Sequence, residues 1–165
     1  MAYDIYLELK GVEGESTAAG FEKKIELLTF SWATNNPVTL GSGSSGIASG
    51  KASVGGIGIQ KKTDKASAKL WAACAQGDHF ETATITLRKA TGTGGQKPFL
   101  TFKMKKVYIT SFHWSGGAGT GDTPTESVAL VFAEIEIEYF AQDDKGQLKT
   151  AGQASYDIQK VKKAK

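Results

Sequence analysis

Apolar and polar residues alternate at a period of two through most of this chain, and that alternation confines it to a fold built from strands. Tyr3, Ile5, Leu7 and Leu9 share one phase, with Asp4, Tyr6 and Glu8 on the other. Leu28, Phe30 and Trp32 oppose Thr29, Ser31 and Ala33 within a strand predicted over 22–34. The adjacent Leu27 and Leu28 predict a bulge or a change of face there. Ala83, Ile85 and Leu87 oppose Thr82, Thr84 and Thr86, and Leu100, Phe102 and Met104 oppose Thr101, Lys103 and Lys105. Ile135, Ile137 and Tyr139 oppose Glu134, Glu136 and Glu138. Further strands are predicted over 52–61 and 154–161.

Only one segment changes period. Ala66, Leu70, Ala73 and Cys74 fall at helical spacing in an alanine-rich run, which predicts a helix over about 64–76. Thr63 or Asp64 can cap its start, and Gly77 can close it in the left-handed conformation. Between two strands lies a Gly/Ser-rich stretch without periodicity, about 35–51, read as a long extended loop. Strands that come in runs argue against a parallel sheet with alternating helices and favour an antiparallel barrel or sandwich. At 165 residues, one domain over 1–165 buries enough surface to need neither disulfide nor metal.

Chemistry is hard to place on this sequence. Gly41-Ser-Gly43-Ser-Ser-Gly46 has the spacing of a dinucleotide loop, but a strand follows it where a helix is required. Gly50-Lys51 lacks the remaining residues of a phosphate loop, since Ser45 and Ala52 occupy the key positions. His79 and His113 belong to no triad or metal-ligand spacing, and Cys74 reads as a small buried hydrophobe. Glu134, Glu136 and Glu138 read as a solvated face or one that meets lysines of a neighbouring subunit. No catalytic residue, cofactor or metal is expected. The net charge is +3 and Arg88 is the sole arginine, which argues against nucleic-acid binding. The start, MAYDIYLELKGVEG, is acidic and alternating and does not read as a signal peptide. No apolar run reaches the roughly 18 residues of a membrane span, so no membrane insertion is expected.

In this order along the chain, several segments resemble one family. They are Gly11-Val12-Glu13-Gly14-Glu15-Ser16, Phe30-Ser31-Trp32, the Gly-rich loop, Asp64-Lys65-Ala66-Ser67, Cys74-Ala75-Gln76-Gly77, Thr86-Leu87-Arg88-Lys89-Ala90 and Thr125-Glu126-Ser127. Together they are similar to the Hcp (haemolysin co-regulated protein) family of type VI secretion systems, over essentially all of residues 1–160. The resemblance implies an antiparallel β-barrel of two sheets with one flanking helix. It implies a homohexameric ring, rings stacked into a tube, and small effector proteins carried in the lumen. It implies a VgrG-type spike protein, a contractile sheath and baseplate components as partners. It also implies passage from the bacterial cytoplasm to the extracellular space or a target cell without a signal peptide. Ser31, with Thr29 on the same face, is expected to look into the lumen. The loop, with Val38, Leu40 and Ile47, is expected to reach neighbouring subunits. A monomeric sandwich that binds carbohydrate through Trp32, Trp71 or Trp114 is the alternative.

Overall fold

The computed structural model describes residues 3–40, 47–90, 95–119, 121 and 123–162. Its strands are β1 (Tyr3–Leu9), β2 (Ile25–Leu27), β3 (Thr29–Ser31), β4 (Thr34–Asn35), β5 (Val38–Leu40) and β6 (Ile47–Ser49). They continue with β7 (Ser53–Val54), β8 (Ile57–Lys62), β9 (His79–Ala90), β10 (Gln96–Ser115), β11 (Thr125–Gln142) and β12 (Leu148–Asp157). The helix α1 (Ser67–Gln76) lies between β8 and β9 and packs on β10. The main sheet runs β2-β1-β9-β10-β11-β8-β3, with β12 added on β11. All its pairings are antiparallel.

The expected strand over 22–34 changes partner in its middle. Its first part, β2, pairs with β1, and its second part, β3, pairs with β8. The change falls at Leu28, whose backbone N–H donates to the Gln60 carbonyl at 2.7 Å. One stretch of chain thus holds both ends of the sheet and curls it into a nearly closed barrel. Leu27 turns into the core and Leu28 turns out, 48% exposed. The change of face expected from the double leucine is present, but Leu28 does not join Phe30 and Trp32 on the core side.

The long strands carry a crease that simple alternation does not reveal. In β9 the inward residues pass from Phe80 to Ala83, in β10 from Met104 to Val107, and in β11 from Phe132 to Ile135. Each step is three residues instead of two, so every side chain beyond it changes face. The steps are neighbours, since Phe80 pairs with Val107 and Val107 with Phe132. Lys106, at φ 53°, is a non-glycine residue in the left-handed region at this line. The sheet bends there and presents two outer faces, one on each side of the crease.

Other expectations are refined. Within the extended stretch 35–51, β5 and β6 form a hairpin, and Asn35 of β4 pairs with Ser53 of β7. The decoy motif at 41–46 lies outside the described residues. The last strand is 148–157 rather than 154–161, because β12 pairs along the second half of β11. The helix proper starts at Ser67. Asp64 caps its first turn from outside, accepting the Ala66 N–H at 2.9 Å, while Ser67 Oγ accepts the Asp64 N–H at 3.0 Å. Gly77 closes it at φ 73° as expected.

Candidate interaction faces and the buried ion cluster

On one side of the crease, β3, β8, β11 and β10 lie side by side with their core residues pointing the other way. Register sets Thr29, Gln60, Ser127 and His113 in one row across the four strands. Ser31, Gly58, Ala129 and Ser111 form the next row. The two positions expected to face a lumen, Thr29 and Ser31, are therefore exposed side chains in one broad, neutral face. Thr29 Oγ1 donates to Gln60 Oε1 at 3.3 Å. A Cβ on Gly58 would lie 3.1 Å from Ser31 Oγ, so the glycine leaves the serine room. The face holds only a shallow depression of about 240 Å³. That is below the roughly 300–1,000 Å³ of a small-molecule site. Its backbone groups are engaged in the sheet, and short hydroxyls give it no large apolar patch.

On the other side of the crease the outer face is charged. Lys103 Nζ lies 3.2 Å from Glu136 and 3.4 Å from Glu138, and Lys105 lies 3.0 Å from Glu134. Lys24 pairs with Glu8 on the far side of the same face. The hydrogen bond to Glu136, above all, holds the Lys103 ammonium above its ordinary pKa. The glutamates thus meet lysines of the adjacent strand of their own chain. Residues 14–24 cover the remaining corner, where Arg88 stacks between Tyr6 and Phe21 at 4.7 and 4.3 Å and donates to the Ala19 carbonyl. Gly14 is required there: a Cβ would stand 2.3 Å from the Lys24 carbonyl oxygen.

A third feature was not anticipated from the sequence. Lys61 and Glu126 are fully buried, directly opposite each other on β8 and β11, with Nζ 2.9 Å from Oε2. Asp64 approaches the same ammonium at 2.8 Å, Ser67 Oγ accepts from it at 3.1 Å, and Trp114 Nε1 donates to Glu126 Oε1 at 2.7 Å. Burial pushes the Glu126 carboxyl up, but hydrogen bonds from Ser67, Lys61 and Thr63 outweigh it and hold the group below its ordinary value. Outside this cluster, Lys65 Nζ bonds Glu13 at 3.1 Å and its N–H donates to Glu15 at 3.3 Å. The motifs at 11–16, 64–67 and 125–127, distant in sequence, therefore meet at one end of the barrel. The signal was legible in principle: Lys61 and Glu126 each stand two residues from an inward apolar residue, Ile59 and Val128.

His79 lies 3.3 Å from Glu81 and packs on Tyr108, and His113 belongs to the face that bears Thr29. Cys74 is half-buried against the core. Among the described residues no three His, Cys, Asp or Glu side chains converge to hold a metal ion. No described helix is long and apolar enough to cross a membrane. The three tryptophans do not share a groove: Trp32 packs on Phe102 and Phe132, Trp114 lines a separate cleft, and Trp71 lines neither.

Comparison with known proteins agrees with this geometry. The profile of the family described as type VI secretion system effector, Hcp, matches residues 6–139. The chain is 33% identical over 156 residues to protein hcp1 of Pseudomonas aeruginosa, covering 94% of each chain. A solved type six secretion system protein superposes with a TM-score of 0.91 at 33% identity, over 99% of this chain and 100% of that one. Hcp1 from Salmonella typhimurium superposes at 0.78 with 28% identity, over 99% of this chain and 100% of its own.

Proposed function

Since this chain belongs to the Hcp family of type VI secretion, whose members are secreted structural tube proteins and not enzymes, we propose that it is a tube subunit whose copies close into hexameric rings. The rings stack, and the neutral face bearing Thr29 and Ser31 lines the lumen. The single observation that carries this reading is that face: two rows across four paired strands, Thr29, Gln60, Ser127 and His113 beside Ser31, Gly58, Ala129 and Ser111, with no Lys, Arg, Asp or Glu in either. Such a surface stays hydrated and holds a passing protein without binding it firmly. Small effector proteins ride inside, a VgrG-type spike protein closes the tip, and a contractile sheath on a baseplate drives the tube. The subunit waits in the bacterial cytoplasm and is delivered to the extracellular space or a target cell. The hairpin bearing Val38, Leu40 and Ile47 reaches a neighbouring subunit. Nucleic acid and membrane insertion play no part.

Native mass spectrometry of the purified protein is expected to give a hexamer; a monomer at every concentration would overturn the ring. Ser31→Gln tests the lumen assignment. The added amide projects from an exposed position, so melting temperature and ring mass are expected to stay unchanged. Effector co-purification is expected to fall. Undiminished co-purification with an intact ring would place Ser31 elsewhere than on the cargo surface.

A further inference from the structure

One cleft takes no part in the faces described above. It lies at the end of the barrel, where the turn between β10 and β11 meets Thr63, and it encloses about 960 Å³. That is near the top of the range for small-molecule sites. Its walls are tied in place. The Thr63 N–H and Oγ1 both donate to the Pro124 carbonyl, at 2.9 and 3.1 Å. Thr125 Oγ1 donates to the Ser115 carbonyl at 3.3 Å. Gly116 lets the arms of the turn approach, since a Cβ there would stand 3.1 Å from Pro124 Cβ.

The cleft has one large apolar surface, the Trp114 indole, which is 44% exposed. The ring is held firmly. Its Nε1 donates to Glu126 Oε1 at 2.7 Å and to Thr63 Oγ1 at 3.2 Å, and Phe112 packs edge-on at 4.7 Å. Glu126 is itself fully buried and joined to Lys61 through Oε2, so an exposed ring is fixed to the rigid centre of the barrel end. Around the indole stand the hydroxyls of Thr63, Ser115, Thr123 and Thr125, and no lining residue is charged.

This combination selects a ligand class. A phosphate, a nucleotide or an acidic peptide would need a cation that the lining lacks. A wholly apolar ligand would leave the hydroxyls beneath it without partners. A sugar ring suits both halves: its C–H face lies on the aromatic ring, and its rim hydroxyls exchange hydrogen bonds with threonine and serine. A platform already fixed in place lowers the ordering cost of binding.

We propose that this cleft binds a neutral oligosaccharide, with one sugar ring stacked on Trp114. The site lies within one chain, so it goes beyond the tube reading and its test does not depend on the ring.

Isothermal titration calorimetry with cellohexaose, maltohexaose and the N-acetylglucosamine hexamer, each to about 10 mM, is expected to give saturable binding of at least one. Trp114→Leu is expected to weaken that binding at least about tenfold. The same change removes a donor from Glu126, so Ser115→Val with Thr123→Val is measured beside it. Those two hydroxyls take no part in the bonds named above. Circular dichroism and Tm are therefore expected to match wild type, while affinity falls at least about threefold. No saturable heat from any of the three sugars would overturn the site. Binding unchanged in the double valine variant, or in a folded Trp114→Leu, would overturn this cleft as its place. Tighter binding of hexagalacturonate, an anionic sugar of equal length, would overturn the neutral class. Binding by a chain that stays monomeric would support the site and overturn only the ring.

Discussion

Lys61→Met is expected to lower the unfolding free energy by about 3–5 kcal/mol, the cost of stripping one partner from a buried ion pair. For a domain of this size that is roughly 6–20 °C in Tm. Methionine fills much of the same volume, so the loss comes from Glu126 and Asp64, two carboxylates left together without their shared cation. The double variant Lys61→Met/Glu126→Gln is expected to recover part of it, since a neutral amide keeps the bond from Trp114 without the charge. Acid gives a second test. The folded Glu126 carboxyl lies below its ordinary value of 4.5, so its contribution is complete above that pH and is lost as pH falls through the folded value. Glu126→Gln is therefore expected to be weaker than wild type at neutral pH, with the gap in urea midpoint narrowing in acid. A gap that is constant with pH would show that the charge on Glu126 contributes nothing.

Phe102→Ala is expected to cost about 3–5 kcal/mol through the cavity it leaves. Phe102 is 7% exposed and holds Phe30 and Trp32 at ring distances of 5.4 and 6.0 Å. It therefore anchors the segment where the sheet curls shut. Leu28→Ala, two residues before Phe30, is expected to change stability by only about 0.5 kcal/mol. Alternation alone would rank these two changes as equals. Equal losses in a denaturant titration would contradict the outward turn of Leu28.

That contrast shows where the sequence could be read and where it could not. The faces of β1 and of β9 from Ala83 onward follow period two, and Thr29 and Ser31 were placed outward by phase alone. Their companions Gln60, Ser127 and His113 were not, because register between β3, β8, β11 and β10 is set by partners far apart in the chain. The crease was hidden for a related reason. Lys106 takes a left-handed conformation without the glycine that would mark it. The β5–β6 hairpin carries no strand signal because three-residue strands are too short to show a period. The buried ion cluster leaves little trace in the sequence because lysine and glutamate at strand ends read as solvent-facing by default.

The partner change at Leu28 also bears on how the chain is made. β1 lies between β2 and β9, and Tyr3 must meet Lys89 before the barrel can close. At the pace of synthesis, 5–20 residues per second, those 86 residues (89 − 3) take roughly 4–17 s to emerge. During that wait Ile5, Leu7 and Leu9 have no β9 to cover them, while β2 is already available to pair with one edge of β1. A nascent chain released early therefore exposes the other edge of β1 beside an apolar face, and the ribosome-bound interval is when this protein is most open to aggregation or to a chaperone.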